Sequence, residues 1–273
     1  MAMITKLWLA TETKKEDDAD TDANPLNLTI NVDGEDLLDA NFGFMSGSGP
    51  LSGGLGPDSA WLDQGQVGLS DLPLSSPIES NLLTNSSIRL GIRTDDAWGP
   101  KQVLVLGATE RRVIALAMET DLDRWLSTDP SEGKLTIPLR LVGTGNSSTV
   151  IQRVILLAKT KGATDDALQL QITAAGNLVL QQAIFDTDQD DLEEYSCNWY
   201  PFVPLFPFTR GDVLSNGGMH ISILGSGVWG PESLFVYGLD TAAGRPNEVV
   251  DLVSIPEWTL GKVTAQPTIL PVI

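Results

Sequence analysis

Short runs in which every second residue is apolar recur along the chain: Leu7 and Leu9, then Leu28, Ile30 and Val32, then Ile88, Leu90 and Ile92, then Val103 and Val105. A period of two turns successive side chains to opposite faces, so each run predicts a strand with one buried face. Turn-forming residues separate the runs, among them Asp33-Gly34, Gly99-Pro100, Gly176-Asn177 and Asn216-Gly217-Gly218. Helical spacing is limited to Thr120–Leu126. Many short strands divided by such turns predict an all-β protein, an antiparallel sandwich or barrel.

The pattern occurs twice. Ile88–Gly107 aligns without a gap on Met219–Gly238, with Trp98-Gly99-Pro100 on Trp229-Gly230-Pro231. Leu26–Leu38 aligns on Leu168–Leu180 with Gly34 on Gly176, and Thr21-Asp22-Ala23 on Thr164-Asp165-Asp166. Ile4–Ala10 matches Ile151–Leu157, and Val113–Trp125 matches Val249–Trp258. The blocks keep one order in both halves, which points to an internal duplication. The expected organisation is two tandem antiparallel β-sandwiches, residues 1–130 and 148–273, joined by a linker at 131–147.

Composition narrows the partners. The 273 residues carry 17 Lys and Arg against 36 Asp and Glu, a formal net charge of -19, so the basic face that nucleic acid requires is not supplied. At 42% hydrophobic residues the chain is too apolar for wholesale disorder. No run approaches the ~20 apolar residues of a membrane-spanning helix, and Met1–Ala10 does not read as a signal peptide. The expected location is cytoplasmic by default, with export by a non-classical route or within an assembly left open. Cys197 has no mate for an internal disulfide, and His220 is the sole imidazole, which excludes catalysis built on several histidines. His220 alternates with Met219 and Ile221 and is expected on the face opposite the core. Neither a phosphate-cradling P-loop nor a G-x-S-x-G elbow is present, and no feature argues specifically for paired catalytic carboxylates, so a non-enzyme is expected.

The order of short motifs resembles the PLAT, or lipoxygenase homology (LH2), domain family. Asp20-Thr21-Asp22-Ala23-Asn24 is similar to the family's Gly-Thr-Asp-Ala-Asn turn. Ile88-Arg89-Leu90, the acidic pair Asp95-Asp96, Trp98 with the following strand, and Arg124-Trp125-Leu126 stand in the family's order. The second half follows more loosely, with Asp190-Asp191-Leu192-Glu193-Glu194 resembling an acidic stretch before a strand. The resemblance implies two β-sandwiches that bind membranes or proteins without catalysis. It also implies that acidic loops can hold calcium, which takes six to eight oxygen ligands. The positions that match are Asp22, Asp95 and Asp96 in the first half and, less completely, Asp165 and Asp166 in the second, where Gly225-Ser226-Gly227 replaces the other acidic loop. The alternative is that these carboxylates merely solvate loop tips.

Three segments are candidate contact surfaces. Tyr195–Phe208 packs six aromatic residues and three prolines into one stretch; Trp199, Tyr200, Phe202, Phe206 and Phe208 are its candidate partner or membrane contacts, core burial being the alternative. The preceding acidic run Asp186–Glu194 would be repelled by an anionic membrane, so a protein partner or self-association is favoured over lipid. Gly43–Pro57 is rich in Gly, Ser and Pro and reads as a contact loop or a surface excursion. Thr259–Ile273 is almost uncharged; up to about Val263 it is expected to close its own sandwich, and beyond that it is suited to pairing with another chain's edge. The expected function is a non-catalytic binding protein, possible calcium assistance included. A structural subunit of a homo-oligomeric filament, shell or phage-like particle, or a carbohydrate-binding module, are the alternatives.

Overall fold

A computed structural model describes residues 3–15, 26–42, 67–92, 97–120, 122–131, 133–184, 192 and 196–273. The chain divides into two compact units, Met1–Val142 and Gly143–Ile273.

Unit one contains β1 (Met3–Thr13), β2 (Leu26–Val32), β3 (Glu35–Phe42), β4 (Val67–Glu79), β5 (Ser86–Ile92), β6 (Ala97–Trp98), β7 (Pro100–Ala108), β8 (Val113–Glu119), β9 (Leu126–Ser127) and β10 (Thr136–Leu139). They pair antiparallel in the orders β4-β1-β7-β8 and β10-β5-β2-β3, with β6 against β9. Leu7 and Leu9 of β1 and Val103 and Val105 of β7 join Leu28 and Ile30 of β2 and Ile88 and Leu90 of β5 in one buried cluster. This is a β-sandwich arrangement, and the alternating runs of the sequence supply its inner faces. Each such side chain contributes about 1.5–3 kcal/mol by leaving water. The stretch expected as a linker is partly strand: Ile137 and Leu139 of β10 alternate into the core while Thr136 and Pro138 face out. Thr120–Leu126 is not helical where described; Leu122–Trp125 is irregular and Leu126 begins β9.

Unit two contains β11 (Gly143–Thr144), β12 (Val150–Ile151), β13 (Arg153–Gly162), β14 (Leu168–Ala174), β15 (Asn177–Ile184), β16 (Cys197–Phe202), β17 (Phe208–Thr209), α1 (Arg210–Asn216), β18 (Gly218–Ile223), β19 (Gly230–Leu239), β20 (Glu248–Ile255) and β21 (Thr268–Leu270). The orders are β11-β20-β19-β13-β16 and β15-β14-β18-β21, and β12 pairs with β17. Leu156, Leu170, Ile221, Trp229 and Val236 lie in its core. The C-terminal tail folds into this unit. Its β21 pairs with β18, Leu270 is buried in the core, and the Ile273 N–H donates to the Leu252 carbonyl at 3.1 Å. Val263 and Leu270 are used in this core, whereas Ile269 stays 71% exposed, so the expected pairing of the tail with another chain is replaced by pairing with β18.

Positions aligned in sequence behave alike in the two units. Bulges fall between Glu12 and Thr13 and between Lys159 and Thr160, between Val105 and Leu106 and between Val236 and Tyr237, and between Ile30 and Asn31 and between Ile172 and Thr173. The Trp98 indole donates to Thr13 Oγ1 and the Trp229 indole to Thr160 Oγ1, each at 3.0 Å. An ion pair recurs with its charges exchanged: Lys101 reaches Glu12 at 2.5 Å, and Lys159 reaches Glu232 at 3.0 Å. The two β-hairpin turns also agree. Asp33 and Gly34 have φ of 53° and 90°, Ala175 and Gly176 have 49° and 78°. Two consecutive positive φ values suit the right-handed twist of the flanking strands, which is why a glycine occupies the second place in both.

Candidate functional site

The aromatic segment before α1 divides between core and solvent. In β16, Trp199 is register partner to Leu157 and buried, with 6% exposure. Tyr200 and Phe202 stack with ring centroids 6.5 Å apart and are half-buried against the core. Phe208 of β17 lies in the core. Phe206 is thus the one of these five aromatic candidates that is exposed, at 45%. It shares the tip of the β16–β17 connection with Val203 at 68% and Leu205 at 72% exposure.

This tip is fixed by backbone chemistry. The Leu205 N–H donates to the Val179 carbonyl at 2.8 Å, and Val179 is the extra residue of the bulge in β15. Pro201, Pro204 and Pro207 restrict φ through the segment, so little conformational entropy remains to be lost on contact. The connection feeds α1, whose Thr209 caps it: the Thr209 hydroxyl accepts from the Asp212 N–H at 3.1 Å, while the Asp212 carboxylate accepts from the Thr209 N–H at 2.9 Å. Thr209-Arg210-Gly211-Asp212 is the signal for this helix, and the prolines upstream obscure it. Exposed Leu214 lies on α1, and exposed Val150 pairs with Thr209. The β14–β15 turn is tied to the helix through Ala175 N–H to the Asp212 carbonyl at 3.0 Å. Five large apolar residues, Val150, Val203, Leu205, Phe206 and Leu214, therefore gather at the hairpin end of unit two. None was singled out from the sequence except Phe206, because exposure of Val and Leu next to buried aromatics has no periodic signature.

The acidic candidates have different surroundings. Asp22, Asp95 and Asp96 lie outside the described residues, as do Asp186–Asp191 and the Gly43–Pro57 loop. Asp165 is exposed. The Asp166 carboxylate accepts the Gly227 N–H at 2.6 Å, and the Asp166 N–H donates to Thr164 Oγ1 at 3.2 Å. Gly225 and Gly227 wrap this carboxylate so closely that a Cβ on either would strike it. In this loop the carboxylate is answered by backbone N–H of the segment that stands in place of the second acidic loop. Among the described residues no group of three or more His, Cys, Asp or Glu side chains is set to hold a metal ion.

Two titratable groups are perturbed within unit two. Burial pushes the Cys197 thiol up to about 12, against a smaller opposing effect of Lys159. The Tyr237 hydroxyl is raised well above the usual phenol value, first by burial and then by the nearby Asp251 carboxylate. Both changes favour the neutral forms, which suits packing and not nucleophilic chemistry. His220 is half-buried on β18, with Gln171 and Ile269 as register partners on the face away from Met219 and Ile221.

No protein-family model matches the chain, and no curated protein and no solved structure matches it either. No helix among the described residues is long and apolar enough to cross a membrane.

Proposed function

We propose that this is a non-catalytic binding protein built from two PLAT-like domains of duplicated origin, and that it docks on a protein partner through the hairpin end of unit two. The matched bulges, the paired indole–threonine contacts and the charge-exchanged ion pair support the duplication. The observation that carries the function is the tip itself: Val203, Leu205 and Phe206 stand in solvent on a backbone pinned to Val179. Exposed apolar residues on a pre-ordered loop raise the free energy of the unbound state and gain most when covered. A net charge of -19 sets the protein against anionic membranes and favours a partner with basic groups around its contact surface.

Site-specific photo-crosslinking tests the reading. A crosslinker at Val203 should give a discrete protein adduct in extract from the native source, and one at exposed Ser87 of unit one should not. Excess wild-type protein should compete the adduct away, and a Leu205→Ser/Phe206→Ser variant should not. Equal adducts from both positions, or flotation of the protein with neutral or anionic liposomes, would overturn it.

A further inference from the structure

We propose that β15 is a strand-addition site, at which an extended segment of the docked partner, basic at its ends, pairs with Leu180–Ile184. The inference rests on the docking reading above and names how the partner is gripped.

The four-stranded sheets of the two units end in four strands, β3, β10, β15 and β21. An open edge is a row of backbone donors and acceptors ready to pair with any extended chain, and proteins ordinarily blunt it with charge, proline or shortness. Three of the four edges are blunted in these ways. The edge strand β3 carries Glu35, Asp36 and Asp39; β10 has four residues with Pro138 among them; β21 has three residues. Asn177–Ile184, by contrast, is eight residues long and has neither a charge nor a proline. Its first half is occupied, since the Val179 carbonyl takes the Leu205 N–H. Farther along, the Ala183 carbonyl is met by the Gln182 side-chain amide at 3.3 Å, a contact that a partner's backbone N–H can replace. Among the described residues no strand covers β15 on that side.

The apolar tip and this edge are continuous through the Leu205–Val179 bond, so one partner segment can pair along Leu180–Ile184 while its neighbouring surface covers Val203, Leu205 and Phe206. Strand addition gives affinity through main-chain bonds, and alternate side chains give selectivity. Charge complementarity decides the occupant. A second copy would bring a further net charge of -19, whereas a segment with Lys or Arg at its ends is attracted.

The probe is a synthetic peptide of three Val-Thr repeats with two lysines at each end, set against the same peptide with glutamates. Hydrogen exchange of the full chain should slow at least fivefold over residues 180–184 in the lysine peptide, and fluorescence anisotropy should give at least tenfold weaker binding for the glutamate peptide. Gln182, exposed although its register partner Leu170 lies in the core, is the place for an inward-pointing edge charge. Gln182→Lys should abolish the protection with the melting temperature unchanged; Gln181→Lys serves as a second variant should the first fail to fold. Absence of protection, equal binding of the two peptides, or protection that grows with protein concentration alone would overturn the proposal. If the adduct from Val203 persists while β15 stays unprotected, edge pairing falls and docking stands; if β15 is protected but the adduct is absent, the docking reading falls.

Discussion

Trp98 and Trp229 are fully buried, and each indole has one N–H that must find an acceptor. Thr13 and Thr160 supply it at 3.0 Å. Replacing either threonine with valine keeps the volume and removes the acceptor, leaving a buried donor unsatisfied at a cost of about 1–3 kcal/mol. Thr13→Val and Thr160→Val are therefore both expected to lower the urea midpoint, and by similar amounts, since the surroundings match. A Thr160→Ser control should retain most of the stability, because its hydroxyl still accepts. The Cys197 thiol is held protonated to about 12 by burial, while an unfolded thiol ionises near 8.5. The folded state thus retains a proton that the unfolded chain gives up, and stability falls as pH rises between these values. Urea midpoints at pH 8 and pH 10.5 should diverge less for Cys197→Ala than for the wild type. A thiol reagent should label the wild type at neutral pH only upon unfolding.

At the scale of elements, the β2–β3 turn was legible because Asp33-Gly34 is a two-residue hairpin signal. Its counterpart holds Ala175 at φ 49°, a conformation that a Cβ disfavours. Ala175→Asn should raise the melting temperature, through a gain of about 0.5–1 kcal/mol, and an unchanged or lowered value would show that the turn is not what limits this hairpin. Alternation also located β2 and β5, where outward positions such as Thr29, Ser87 and Arg89 stay at least partly open, and it marked the core-facing residues of β1 and β7. In β1 and β7 the expectation of one buried face fails, because Trp8, Ala10, Leu104 and Leu106 on the opposite face are buried too, as are Ile155, Leu157, Phe235 and Tyr237 in the second half. Alternation passed over β4, where Pro73 and Pro77 interrupt the apolar positions, and two further elements. The edge strand β10 is only four residues, too short for a period-two pattern to stand out beside Gly133 and Lys134. The helix α1 is seven residues long and buries only Val213, so it has no apolar stripe, and only its capping box marks it.

Across the whole molecule, the two units share their strand register and bulges but differ at the loop that carries Val203, Leu205 and Phe206. Where β15 buries Val179 and accepts the Leu205 N–H, the aligned bulge residue of β3, Leu37, is 40% exposed. The sequence made Tyr195–Phe208 conspicuous but could not divide it. Trp199 and Phe208 differ from Phe206 in where the backbone turns, which is set by pairing with Leu157 and Ile151 far away in the chain. That division yields a prediction about the full chain. Val203 and Leu205 are mostly in water when folded and Phe206 is nearly half so, so changing them removes little burial energy. The triple variant Val203→Ser/Leu205→Ser/Phe206→Ser should melt within about 2 °C of the wild type while eluting earlier from a phenyl column. If the tip is the centre of a contact, each lost anchor removes about 2 kcal/mol, so the triple variant should weaken partner binding by far more than tenfold. Added salt should weaken the wild-type complex mainly through slower association, because charge acts on encounter and the tip on residence time. A variant that loses both its stability and its binding would instead place these side chains in the fold's own energetics, and the separation of roles between scaffold and tip would fail.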